Sequence, residues 1–168
     1  MNLSDVCLPV FRHMLGNLRH CLDKAAADAQ ARNYDPGVLI GYRLAPDMLP
    51  FKAQVFIACD AAKLCCVRVG GVEAPVFEDK ADTLDELKAR IDATLAWLAT
   101  VDPAVIDRAE DSDVTFKAGP ATRTMKGADY VRLYALPNMF FHISTAYAIL
   151  RHNGVSLGKR DYLMGSAT

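Results

Sequence analysis

From Ser4 to about Arg32 the chain places Phe11, Leu15, Leu18, Leu22, Ala25 and Ala29 on one helical stripe, which Met14 and Cys21 widen. A period near 3.6 sustained over so many turns makes one face of a long helix apolar, and such a face is stable in water only when packed against other elements. Little of the chain offers a sheet to receive it. DVTFKAGPATRTMKG alternates in short pieces about a Gly-Pro turn, which predicts a hairpin of Val114–Lys117 and Ala121–Lys126, too short to form a core of its own. The partners of the first helix are therefore other helices, and the expected class is an all-α four-helix bundle.

Three further helices can be placed. The first is capped by Ser4 or Asp5, tolerates Pro9 only near its first turn, and ends at NYDPG (33–37). VLIGYRLAPDMLP then reads as a long connection. Helix two starts around Asp47 to Pro50 and runs to about Arg68, with Phe51, Val55, Ala58, Ala62 and Cys66 on one stripe and Gly70 and Gly71 as its stop. After the loop GVEAPVFEDKAD, Asp82 and Thr83 open helix three, which carries Leu84, Leu87, Ile91, Leu95 and Leu98; Asp85 and Glu86 suit the positive end of its dipole. Asp102 and Pro103 mark its end or a short continuation. The last helix begins near Ala128, kinks or restarts at Pro137, and reaches His152, with Asn153 and Gly154 as a C-terminal stop. Leu157, Tyr162, Leu163 and Met164 of the tail are expected to dock on the bundle before the end becomes mobile. The chain reads as one domain, 1–168.

Charge and composition narrow the partners. The 19 Lys and Arg against 20 Asp and Glu leave no basic footprint, so neither nucleic acid nor an anionic membrane is expected. Although 52% of residues are hydrophobic, no apolar run approaches the roughly 18 residues that cross a bilayer, and MNLSDVCLPVFRH lacks the basic start and cleavage site of a secretory signal. A soluble, cytoplasmic protein is expected. The five cysteines (Cys7, Cys21, Cys59, Cys65, Cys66) form no CxxC pair, and reduced, buried thiols are the simplest reading.

Histidine occurs at 13, 20, 142 and 152. His13 and His20 lie seven residues apart, roughly 10 Å along a helix, too far to share a metal. They fall beside Asn17 and Lys24 on the face away from the apolar stripe, which is expected to be solvated, and His152 with Arg151 suits a helix C-terminus. His142 differs: Asn138 lies four residues before it on the same face, among Phe141, Ile143, Ala146 and Leu150. It reads either as a partly buried histidine bonded to Asn138, Tyr147 or a neighbouring helix, or as part of an interhelical site. Helix two offers Gln54 and Asp60 as polar partners, Asp60 also being spaced for an ion pair with Lys63, while Arg43 and Asp47 suit closure of the preceding loop. No Ser-His-Asp arrangement, phosphate loop, HExxH or paired-carboxylate signature is present.

YRLAPDMLPFKAQ, CDAAK, ALPNMFFHISTAYAILRHNGV and GKRDYL together resemble an uncharacterised domain family of the DinB/YfiT-like superfamily, over nearly the whole chain. The resemblance implies a four-helix bundle with a long connection between helices one and two, and a homodimer. It also implies, for many members, a divalent metal such as zinc or nickel held by one histidine on helix two and an HxxxH pair on helix four, ahead of a pattern like LRxxG. Counting back from LRHNG, the second histidine of that pair falls on His142 and the first on Asn138, and helix two has no histidine. Two functions are therefore expected. The favoured one is a metal-free bundle, structural or holding a small apolar or amphipathic molecule near Asn138 and His142; the other is a metal-dependent transferase or hydrolase, thiol-transferase-like, with His142 as ligand or general base.

Overall fold

Helix α1 (Leu3–Ala31) buries the stripe that its spacing marks, from Phe11 and Leu15 to Ala25 and Ala29. Each large aliphatic side chain so removed from water contributes about 1.5–3 kcal/mol. Its start differs from expectation: Asn2 is the cap, and the Asp5 carboxylate accepts from the Asn2 backbone N–H at 3.2 Å. A second orphan donor, the Ser4 N–H, is taken by Asp107 at 2.8 Å. Pro9 stands beyond the first turn, inside the helix, where the missing N–H leaves the Asp5 carbonyl without its α-helical donor. The computed structural model that carries these elements describes residues 1–166.

The connection to helix two is more ordered than its sequence implies. Pro36–Gly41 forms a 3-10 turn opened by Asp35, whose carboxylate accepts from the Gly37 N–H at 2.8 Å, and this turn seats Leu39 and Ile40 in the core. Helix α2 (Phe51–Gly70) begins after Pro50, not at Asp47, and Gly71 closes it with φ 65°, a left-handed conformation that favours glycine. Buried side chains nearly encircle α2, because it packs on later helices from two sides. All five cysteines are buried and unpaired, three of them on this helix.

Helix α3 (Leu84–Leu98) opens with a reciprocal box in which Thr83 Oγ1 accepts from the Glu86 N–H at 3.2 Å and Glu86 Oε2 accepts from the Thr83 N–H at 3.0 Å. Pro103–Asp107 is a separate short helix, α4, capped by Asp102. The hairpin β1 (Asp113–Ala118) and β2 (Ala121–Lys126) pairs Phe116 with Arg123, and β1 buries Val114 and Phe116 against the helices. The chain then turns at Gly127, where an added Cβ would lie 2.1 Å from the Ala109 carbonyl oxygen, so no other residue fits.

The last long helix is built in three parts: α5 (Gly127–Tyr130), a π segment (Val131–Ala135) and α6 (Leu136–His152). The irregularity expected at Pro137 takes the form of this wider turn, in which the Leu136 N–H reaches back five residues to the Val131 carbonyl. Helices α2 and α6 form the most extensive helix pair, and α1 lies against α3. No helix among the described residues is long and apolar enough to cross a membrane.

The tail forms a further helix, α7 (Lys159–Met164), seated on α1. Leu157 is buried and Tyr162 partly so, but Leu163 and Met164 are exposed, contrary to expectation; the mobile end expected beyond them falls in part on 167–168, outside the described residues. This docking corrects the reading of a solvated face at His20 and its neighbour Asn17, while His13 stays exposed as expected. His13 Nε2 donates to the Leu163 carbonyl at 2.6 Å, Asn17 is buried and donates to the Tyr162 carbonyl at 2.9 Å, and His20 and Lys24 hold Asp161 at 2.9 and 3.0 Å. The face is polar in part because a polar partner lies on it.

Candidate functional site

The four residues singled out by sequence divide into two clusters along the seam between α2 and α6. His142 is 9% exposed and its Nδ1 lies 2.7 Å from Gln54 Oε1. Gln54 Nε2 donates to the Leu49 carbonyl at 2.9 Å, which turns the amide oxygen toward the imidazole; Nδ1 therefore carries the proton and Nε2 the lone pair. Burial lowers the His142 pKa from its ordinary 6.5, so the ring is neutral at pH 7. The edge of the half-exposed Phe141 ring completes its surroundings at 5.2 Å between centroids. This pair joins the end of the long connection, through Leu49, to both central helices.

Asn138 and Asp60 belong to the second cluster. They line a cleft of about 120 Å³ between α2, β1 and the π segment, together with Arg68, Lys117, Tyr130 and Tyr134. His142 and Gln54 are not among its walls. Asp60 is already engaged: its carboxylate receives Arg90 Nη2 at 2.8 Å and Lys63 Nζ at 3.1 Å, so the expected local ion pair exists but with a second, buried cation. Arg90 also lies 5.5 Å and 4.8 Å from the ring centroids of Phe56 and Phe77, and bonds Asp79 at 3.2 Å, which holds the 72–82 loop against α2 and α3. Arg43 donates to the Met48 carbonyl, closing the loop before α2.

Arg68, Lys117, Tyr130 and Tyr134 are absent from the sequence-based candidates. The available signal was the i,i+4 spacing of Tyr130 and Tyr134 just before Pro137. In the fold these two rings stack at 5.6 Å and both meet Phe116 of β1, at 4.7 and 4.4 Å. Burial pushes the Tyr130 hydroxyl pKa up, against the opposing pull of Arg68.

The residues present do not fit the metal that the resemblance implies. Among the described residues no three His, Cys, Asp or Glu side chains converge on one point. The α2 side chain that meets His142 is an amide whose oxygen is taken by the imidazole N–H, the residue four before it is a second amide, and Asp60 is held by two cations. Neutral amides are poor zinc or nickel ligands beside imidazole.

A family model described as a domain of unknown function, DUF1993, matches residues 3–163. The chain is also similar to a crystal structure described as a DinB family member protein from Shewanella denitrificans, at 39% sequence identity and a TM-score of 0.89, covering 96% of this chain and 91% of that one. No curated protein matches it.

Proposed function

The chain belongs to the DUF1993 family and is DinB-like, and from that premise we propose that residues 1–168 act as one bundle domain that holds a small amphipathic molecule, without metal, in the cleft at the π segment. One observation carries this reading: Asn138, Tyr134 and Lys117 on the cleft wall have no side-chain hydrogen-bond partner among the described residues, whereas Gln54 and His142 have each other. A π turn beside the cleft supports it, since such turns occur frequently at functional sites. His142 serves as the tie between α2 and α6 rather than as the reacting group.

Metal analysis of purified, untagged protein tests the proposal, together with thermal-shift screening against small acids, amides and thiols. The expected result is substoichiometric zinc and nickel, and a ligand-dependent rise in melting temperature that disappears in Asn138→Phe, which fills the cleft. Stoichiometric metal that is lost in His142→Ala would overturn it and favour the metal-dependent transferase or hydrolase. The homodimer implied by the resemblance, and the cytoplasmic residence expected from a start unlike a secretory signal, belong to the same proposal. Leu133 and Phe141, 66% and 55% exposed, support the first; a light-scattering mass of one chain would count against it.

A further inference from the structure

Arg68 on α2 is half-buried, and its Nη1 donates to the Tyr130 hydroxyl at 2.9 Å while its guanidinium lies 5.7 Å from the Phe116 ring centroid. No carboxylate among the described residues lies within ion-pairing distance of it. A guanidinium offers five N–H donors, so most of this one is unspent. Tyr130, having accepted from Arg68, still has its own O–H to donate; the Tyr134 hydroxyl and the Asn138 amide have no partner among the described residues. Lys117 on the exposed side of β1 brings a second cation to the rim, again without a carboxylate beside it. The one acid in the wall, Asp60, is neutralised by Arg90 at 2.8 Å and Lys63 at 3.1 Å. Donors and positive charge therefore exceed acceptors and negative charge throughout the cleft.

We propose that this cleft is a carboxylate-binding site, an inference that rests on the metal-free binding reading above and names its ligand class. Arg68 supplies the fork that matches two coplanar oxygens, Tyr130 and Asn138 donate from the sides, and Lys117 contributes charge at the mouth. The volume of about 120 Å³ takes a carboxylate and a few carbons, with Ile57, Ala61 and Leu64 as its apolar wall. A monoanion is favoured over phosphate because the Asp60 carboxylate in the wall opposes a second negative charge.

The test is an NMR titration of the full-length, ¹⁵N-labelled protein with butyrate, butyramide and inorganic phosphate. Butyrate should shift the backbone amides of Lys117, Tyr130, Tyr134 and Asn138, and butyramide should bind at least about tenfold more weakly. Arg68→Gln should weaken butyrate by about tenfold or more. Lys117→Gln, on an exposed strand position that folding does not need, should weaken it about two- to threefold, less so at high salt. If Arg68→Gln fails to fold, the butyrate-to-butyramide ratio and Lys117→Gln decide. Equal binding of butyramide, or tighter binding of phosphate, overturns the carboxylate assignment and leaves metal-free binding standing; unmoved cleft amides with all three probes overturn both.

Discussion

Two polar clusters sit on the α2–α6 seam in opposite states. Around His142 the groups are spent: Nδ1–H meets Gln54 Oε1, and the Gln54 amide N–H meets the Leu49 carbonyl, leaving the imidazole Nε2 as the one open atom. Around Arg68 they are unspent, with hydroxyl, amide and guanidinium donors facing a cleft whose acid is already paired. Residue type would rank these clusters the other way, because a histidine on an apolar helix draws the eye. The Gln54–His142 pair is buried and satisfied within the fold, as polar groups that serve structure are, whereas Arg68, Tyr134 and Asn138 are half-buried and Lys117 exposed, which leaves their donors open to solvent or to a ligand.

The largest expected effect breaks the clamp that offsets the charge of the cleft's acid. Arg90→Met keeps much of the packing between Phe56 and Phe77 but strips Asp60 of its buried partner, and urea unfolding should show a loss of about 3 kcal/mol. In the surviving folded protein butyrate should also bind more weakly, because Asp60 then faces the cleft with less compensation. Next, Gln54→Leu and His142→Phe should each cost about 1–3 kcal/mol, and together less than their sum by about 1 kcal/mol, because the double variant leaves no orphaned partner. Neither should disturb ligand shifts in the cleft; loss of those shifts in His142→Phe would make the two clusters one site.

A pH dependence sharpens the same contrast. Burial holds the folded-state pKa of His142 below 6.5, so as pH falls through 6.5 the unfolded chain takes up a proton that the folded chain refuses. Stability contributed by the neutral ring is complete above that pH and is lost below it, down to the folded pKa. Thermal scans should show this loss in the wild type and not in His142→Phe. The smallest effect lies on α7, which belongs to neither cluster. Burial alone would raise the Asp161 carboxyl, but the Gly158 N–H, His20 and Lys24 outweigh it and hold it at about 2, so its contribution is present above 3.8 and fades as pH falls through about 2. Asp161→Asn should cost under about 1 kcal/mol at neutral pH and show as faster hydrogen exchange in α7, with butyrate binding unchanged.

The long helices were legible from their period: the α1 stripe is buried as spaced, and α3 opens at Thr83 as read, although Asn2 and not Ser4 or Asp5 caps α1. What one helix cannot report is the nature of its cover. His13, Asn17, His20 and Lys24 have the pattern of a wet face, and only the return of α7 distinguishes solvent from a polar partner. The site was half legible for a related reason. Asn138 and His142 share a face by spacing, but whether Gln54 or Asp60 meets them depends on the rotation of α2 against α6, and these two residues, six apart, fall into different clusters. Arg68 and Lys117 look like ordinary surface cations until β1 and the π segment bring them to one cleft.

The central claim is that the lone imidazole is a structural tie and that binding chemistry lies in the Arg68 cleft. Ring-nitrogen NMR of ¹⁵N-histidine-labelled protein at neutral pH, with equimolar zinc and then with butyrate, tests it most directly. The predicted result is a His142 ring protonated at Nδ1 and unchanged by either addition. A move of its Nε2 resonance to a metal-bound position on adding zinc would contradict the account.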